Sequence, residues 1–335
     1  MITRNLRIEN DKMSWEQQYA ASFRNPTDLL TWLSIDIGTI SDAIDTDSEF
    51  PLRVPHAFAS RMLHGNPDDP LLRQVLPLKN ERIPVSGFSN DPLDEENYNV
   101  GNGIIKKYQG RALLIATGAC AIHCRYCFRR HYPYADESLT REQISTMISE
   151  LRRMGDLDEV ILSGGDPLSL SDSRLEELLD ALATLPKLRR LRLHTRLPIV
   201  LPDRVTGRLA TMLGQFPTEV VCVMHANHPN ELDDQVAAAM HRLRVENVTL
   251  LNQSVLLNRI NNDSDTIELL CKKGFEMGVL SYYLHQLDPV SGTHAFAVGD
   301  AEANEIHAEL LTRLPGYLVP KLVREQAGAL SKTPL

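Results

Sequence analysis

Cysteine is scarce in this chain of 335 residues, with five in all, and only nine of its 35 basic residues are lysines. An odd, small cysteine count in a long chain excludes a disulfide framework. No run of about 18 apolar residues occurs, so no transmembrane helix is expected. The opening stretch MITRNLRIENDKMSW has no apolar core and no small-residue cleavage pattern, so no secretory signal is expected and a cytoplasmic protein is. Positive charge is in deficit: 35 Lys+Arg stand against 44 Asp+Glu, a net charge of −9. A broad nucleic-acid-binding face is unfavourable on that balance, because phosphate binding draws on clustered cations. Low-complexity tracts and repeats of 20–50 residues are also missing, which excludes a solenoid. What is present is ordinary for a soluble globular chain: 43% hydrophobic and 24% charged residues. The length suits about two domains or one α/β barrel.

Organisation changes along the chain. Residues 13–45 carry helical signals, with Asn25 or Thr27 placed to cap NPTDLLTWLSI. Residues 50–105 are rich in Pro, Asn and Asp and read as loops and short helices wrapped over something else. From residue 111 short apolar runs alternate with amphipathic windows. Strands are expected at 111–117, 158–164, 188–195, 219–225, 248–254 and 279–287. Helices are expected at 141–154, 173–185, 202–215, 231–244 and 264–278. Buried strands separated by helices imply parallel pairing with right-handed crossovers. The fold class is therefore α/β, a partial (β/α)6 barrel. The expected division is a helical and loop cap at 1–105, the barrel at 106–295 and a C-terminal extension at 296–335. Ser163, Asp166, His194, Arg196, His225, Asn252, Gln253, His285 and Asp288 all fall at or just past strand ends. Barrel active sites sit there.

The loop after the first strand holds Cys120, Cys124 and Cys127 in the spacing C-x3-C-x2-C. Thiolates favour iron–sulfur clusters or zinc. A structural zinc site needs a fourth ligand, for which only His123 or His131 stands near in sequence. Cys222 in VVCVMH and Cys271 on a helix read as small buried apolar residues. Three thiolates on a [4Fe–4S] cluster would leave one iron open to an outside ligand. Ser163-Gly164-Gly165-Asp166-Pro167 ends the second strand and, taken alone, is an ordinary turn.

On these residues the chain resembles the radical S-adenosylmethionine family. The resemblance implies that the open iron chelates the methionine moiety of S-adenosylmethionine. It also implies that Ser163, Gly164, Gly165 and Asp166 bind that moiety, with Asp166 helping to hold its amino group. More narrowly, CRYCFRR (124–130), LSGGDPL (162–168), HTRLPIVLPDR (194–204), HANHPNE (225–231), NQSVLL (252–257) and SKTPL (331–335) are similar to the lysine 2,3-aminomutase group. That group also uses pyridoxal 5'-phosphate, and moves the amino group of lysine from C2 to C3 after a radical removes hydrogen from Cβ. By residue match, Lys332 carries the pyridoxal as a Schiff base, and Arg129 pairs the substrate carboxylate. Lys107, Tyr108 and Arg111 lie where phosphate-binding groups are expected. Asp288 matches a carboxylate that receives the distal ammonium. Gln253 and His225 are placed for adenosine or cofactor contacts, while His194 and His285 receive no role.

Two departures accompany the resemblance. Glu325 stands where the group has a second ammonium-binding aspartate. The cysteine-bearing, zinc-binding tail of the catabolic enzymes has no counterpart after Lys332, so no intersubunit zinc is expected. This shortened form is similar to the aminomutases whose (R)-β-lysine is attached by a dedicated ligase to elongation factor P. The expected partners are therefore L-lysine, an external electron donor, and a functional link to elongation factor P and its lysyl ligase. Two other readings stay open: a free-lysine aminomutase of catabolism or biosynthesis, and a radical enzyme acting directly on RNA or protein.

Overall fold

The alternating texture beyond residue 111 folds as its hydrophobic pattern dictates. A computed structural model describes residues 13–40, 43–133 and 140–335. One sheet carries nine strands in sequence order: β1 Ile104–Ile105, β2 Arg111–Thr117, β3 Glu159–Gly164, β4 Arg190–Thr195, β5 Glu219–Met224, β6 Thr249–Val255, β7 Leu280–His285, β8 Lys321–Arg324 and β9 Thr333–Pro334. Strands β2 to β8 are parallel, while β1 and β9 pair antiparallel at the two edges. The six expected strands are all present. A seventh parallel strand, β8, extends the sheet; its short run KLVR carries too few residues for a periodic signal.

Among the described residues, five short α-helices precede the sheet: α1 Trp15–Ala20, α2 Pro26–Trp32, α3 His56–Ala59, α4 Pro70–Arg73 and α5 Glu95–Tyr98. Asn25 caps α2 by accepting from the Thr27 amide at 2.8 Å. The later helices are α6 Arg141–Arg153, α7 Asp172–Ala183, α8 Leu197–Val200, α9 Gly207–Gly214, α10 Asp234–Val245, α11 Ser264–Glu276 and α12 Asp300–Arg313. Side-chain caps start five of them at the points where the amphipathic pattern begins: Thr140, Ser171, Thr206, Asp233 and Asp263. Helix α9 starts later than the expected 202, because Pro202–Arg204 forms a 3-10 turn that breaks the run.

One hydrophobic core joins the early helices to the sheet. Leu29, Phe58 and Leu71 are packed with Leu114, Leu162 and Leu193, all fully buried. A second cluster, including Leu256, Ile267, Leu284, Leu310 and Leu322, seats α11 and α12 against β7 and β8. Burying a Leu of this kind is worth about 1.5–3 kcal/mol each, so the early helices are fastened to the sheet by many such increments. Among the described residues no helix is long and apolar enough to cross a membrane. Every parallel strand delivers its C-terminal end to one edge of the sheet, where the polar residues gather.

Candidate active site

The cysteine loop leaves β2 at Thr117 and is pinned from three sides. From β3, the Gly165 amide donates to the Thr117 carbonyl at 2.7 Å and the Asp166 amide to the Ala119 carbonyl at 2.8 Å. This approach explains the glycines. Gly164 holds φ at +111°, and a Cβ on Gly165 would lie 2.4 Å from the Ala119 carbonyl oxygen. Their small size serves contact between two backbones. From the N-terminal region, the Tyr19 hydroxyl on α1 and Arg53 Nη1, in the segment before α3, donate to the Cys120 carbonyl at 3.2 and 3.1 Å. Arg125, fully buried, donates from Nε to both oxygens of Glu81 at 2.9 and 3.1 Å, and its amide donates to the Gln74 carbonyl at 2.8 Å.

All three loop cysteines are half-buried, whereas Cys222 and Cys271 are buried as their apolar settings required. The thiols feel one another. Burial, then the charges of Asp166, Cys127 and Cys124, pushes Cys120 well above the usual thiol range. Burial and Cys124 push Cys127 up to about 11. The two nearby histidines are engaged elsewhere. His123 Nδ1 lies 2.7 Å from the Pro51 carbonyl and its ring stacks on Phe50, while His131 Nε2 lies 3.1 Å from the Ser291 carbonyl. Among the described residues no group of three or more His, Cys, Asp or Glu side chains closes into a cage for a single ion.

Asp166 is bonded on both carboxylate oxygens. Its Oδ1 accepts from the Thr195 hydroxyl at 2.7 Å and the Leu168 amide at 3.0 Å. Its Oδ2 accepts from the Arg196 and Leu197 amides at 2.7 and 3.0 Å. With both oxygens doubly engaged, this carboxylate ties the end of β3 to the end of β4 and does not offer itself to a ligand ammonium. The residue it positions is Arg196. The buried guanidinium donates from Nη1 to Cys124 Sγ at 2.7 Å, and from Nη2 to Gln74 Oε1 at 2.6 Å and Glu231 Oε2 at 3.0 Å. His225 stacks on Tyr126 beside this network, with Nε2 3.0 Å from the tyrosine hydroxyl. Burial, then the Arg196 charge, lowers its pKa to about 3 and keeps it neutral.

A second group of ionisable side chains lies at the same strand ends. Arg129, two residues past Cys127, is buried with its fork on Glu95 of α5 and its Nη1 3.0 Å from the Ser163 hydroxyl. Lys332, 203 residues further along, pairs with Glu325. The other Glu325 oxygen accepts from Lys107 Nζ at 3.0 Å and the Tyr108 hydroxyl at 3.1 Å. Lys107 thus faces a carboxylate and the Leu93 carbonyl rather than standing free for a phosphate. Burial opposes ionisation of Glu325, but the Lys332 and Lys107 charges prevail and hold it at about 2. Asp288 is pushed up to about 7 by burial first and by the Glu325 charge next. No hydrogen bond or ion pair of a described residue reaches its carboxylate. His285 and His194 are held well below the usual imidazole range, first by burial; Lys332 adds to both effects. Lys332 Nζ sits 5.7 Å from the Tyr283 ring centroid, and the Arg111 guanidinium 5.0 Å from that of Tyr108. Gln253, half-buried on β6, pairs in register with Tyr283.

The structure therefore brings Arg129, Lys332, Asp288, Lys107 and Tyr108 into one electrostatic neighbourhood adjoining the cysteine loop. Glu95, Gln74, Glu81 and Glu231 belong to the site and were not singled out from sequence. The only sequence signal for the three glutamates is that fixed, buried arginines demand buried carboxylates, and Gln74 had none.

Known proteins resemble this chain as follows. Residues 114–270 match the family described as the Radical SAM superfamily. L-lysine 2,3-aminomutase of Escherichia coli K12 is 47% identical over 322 residues, 96% of this chain and 94% of that one. The Haemophilus influenzae enzyme of the same name is 42% identical over 97% of this chain and 96% of its own. The Clostridium subterminale enzyme is 34% identical over 81% of this chain and 65% of its own. Among solved structures, a radical SAM methyltransferase from Sphaerobacter thermophilus superposes with a TM-score of 0.47 at 16% identity, covering 66% of this chain and 68% of that one.

Proposed function

The chain belongs to the L-lysine 2,3-aminomutase family of radical S-adenosylmethionine enzymes, and from that premise we propose that it converts (S)-α-lysine to (R)-β-lysine with a [4Fe–4S] cluster, S-adenosylmethionine and pyridoxal phosphate. When bound, the cluster and sulfonium supply an organic radical, and the pyridoxal supplies a π-system that lets the amino group migrate.

The residues suit these groups. Cys120, Cys124 and Cys127 share one loop, partly open while the chain's other two cysteines are buried. The Cys120 and Cys127 thiols are raised, first by burial and then by neighbouring charge, an arrangement that a coordinating metal reverses by deprotonating them outright. The fixed donor Arg196 already faces one sulfur. Gln253 and His225 would line the adenosine side, and the Ser163–Gly165 turn the methionine side. Lys332 would hold the pyridoxal, with Arg111 supplying a fork for its phosphate.

The chain's own residues then position lysine. Arg129 would bring its buried guanidinium to the α-carboxylate in competition with Glu95, which holds its fork in this structure. Asp288 and Glu325 offer carboxylates to the distal ammonium. Glu325 is one methylene longer than the family's aspartate, and Lys107 and Tyr108 hold it in place. When Lys332 is engaged by the cofactor, Glu325 loses one of its two cationic partners, which leaves room for the substrate's ammonium. The neutral His194 and His285 add no competing cation. The reading rests above all on the meeting of Lys332 with Glu325 beside Asp288, since a lysine so late in the sequence is otherwise a solvated side chain.

We further propose that the β-lysine passes through a lysyl ligase to elongation factor P, in the cytoplasm, with a small low-potential protein as electron donor. Anaerobic incubation of reconstituted enzyme with L-lysine, reductant and S-adenosylmethionine, followed by chiral product analysis, tests the reaction. The expected product is (R)-β-lysine. Product formed only on lysylated elongation factor P would move the destination, and none from either substrate by cofactor-replete enzyme would overturn the reading.

A further inference from the structure

We propose that Arg196 is a positioning residue that tunes the reduction potential of the cluster through its hydrogen bond to Cys124. The inference rests on the reading that Cys124 ligates iron. Three observations carry it. The Nη1–Sγ separation is 2.7 Å, and the guanidinium is buried, 6% exposed. Charge-assisted hydrogen bonds are stronger than neutral ones, and low local dielectric strengthens them further. The arginine cannot swing away, because four partners fix it. Asp166 accepts from its amide at 2.7 Å, and Glu231 and Gln74 accept from Nη2. Tyr126 stacks beneath it, with the guanidinium carbon 5.7 Å from the ring centroid.

Glu231 is itself immobile. It is fully buried, and its Oε1 accepts from Gln74 Nε2 at 3.0 Å and from the Asn227 and His228 amides at 2.9 and 3.1 Å. The guanidinium thus lies between one permanent anion and one sulfur. Reduction adds an electron to the cluster and makes its sulfurs more negative. A cation donating to one of them stabilises the reduced form more than the oxidised form, and hydrogen bonds to sulfur are an established lever on cluster potential. Glu231 works the other way by sharing that cation. The electron comes from an external one-electron reductant, and the pair Arg196–Glu231 sets how readily the cluster accepts it.

The test is an anaerobic titration of reconstituted protein with dithionite and mediators, following the reduced cluster by electron paramagnetic resonance, with iron and sulfide measured in parallel. Arg196→Gln should load iron as the parent does and be reduced at least tenfold less favourably, which is 59 mV more negative for a one-electron couple. Arg196→Lys keeps the cation and should stay within threefold. Glu231→Gln keeps the isostere and leaves the whole guanidinium charge to the sulfur, so it should shift the opposite way, towards easier reduction. Iron-replete Arg196→Gln at the parent potential would overturn the inference, and so would Glu231→Gln shifting in the same direction as Arg196→Gln. A fall in S-adenosylmethionine affinity with no change in potential would make Arg196 a cofactor ligand and overturn it too. If Arg196→Gln fails to load iron, the sign of the Glu231→Gln shift decides. A parent protein that assembles no cluster would sink the proposed function itself, a result distinguishable from all of these.

Discussion

Arg129 and Glu95 meet as two parallel forks, Nε to Oε2 and Nη2 to Oε1, both at 2.7 Å, in a buried setting. One belongs to the segment that follows the cysteines and the other to α5, so the early helices reach into the candidate site. Breaking a buried pair by removing one partner costs about 3–5 kcal/mol, because a charge is left uncompensated. Arg129→Met should lower the unfolding midpoint accordingly, and the double variant R129M/E95Q should recover most of the loss. Calorimetry on the anaerobically reconstituted proteins checks this, and an unrecovered double variant would contradict the pairing. Arg129→Lys, which cannot form the fork, should raise the KM for lysine.

The pH dependence follows from Asp288, whose pKa burial and the Glu325 charge raise to about 7. Only its ionised form attracts an ammonium. The kcat/KM for lysine, which reports the free enzyme, should therefore climb as pH rises through about 7. Asp288→Asn should flatten that limb. Losing one charged partner at a buried contact costs about 2–5 kcal/mol, so kcat/KM should fall by a factor of roughly 30 or more. The stability effect has the opposite sign. The raised pKa favours the protonated folded form, so its contribution is complete below the unfolded value near 4 and is lost as pH rises through about 7. The parent should unfold more easily relative to Asp288→Asn at pH 8 than at pH 5.

Lys332→Ala should abolish pyridoxal retention, read from the absorbance of cofactor released in alkali after desalting. Lys321→Ala, on β8, should retain it. A Lys332→Ala protein that keeps a covalent pyridoxal would move the assignment to another lysine.

Alanine at any of Cys120, Cys124 or Cys127 should strip the protein of most iron, whereas Cys271→Ala should leave iron content unchanged. Gly165→Ala tests the scaffold, since its Cβ would sit 2.4 Å from the Ala119 carbonyl oxygen. Overpacking of this kind costs about 1–3 kcal/mol, here by displacing the cysteine loop, so iron retention should drop although no ligand has changed.

The strands and the cysteine loop were legible because their signals are local: apolar runs of fixed length, and three cysteines in eight residues. Lys332 was legible only through resemblance, since nothing around it is periodic. Glu95 and Gln74 were not legible. Glu95 lies on a short helix and Gln74 just past one, in a stretch rich in Pro, Asn and Asp, and their partners Arg129 and Arg196 lie 34 and 122 residues away. Asp166 was found, but its four partners were not. A sequence shows that a carboxylate follows a strand, and not that four donors from β3, β4 and their loops already fill it. Strand β8 was missed because tertiary pairing against β7, rather than its own four residues, makes it a strand.

Strands β1 and β9, two residues each, hem the open margins of the sheet. Stubs so short give a neighbouring molecule little backbone on which to stack. On one side the stub begins immediately after Lys332, so the seam that discourages edge pairing also carries the lysine proposed to hold the pyridoxal. Fraying of that margin would then expose a sheet edge and, on the proposed assignment, loosen the pyridoxal lysine in a single event.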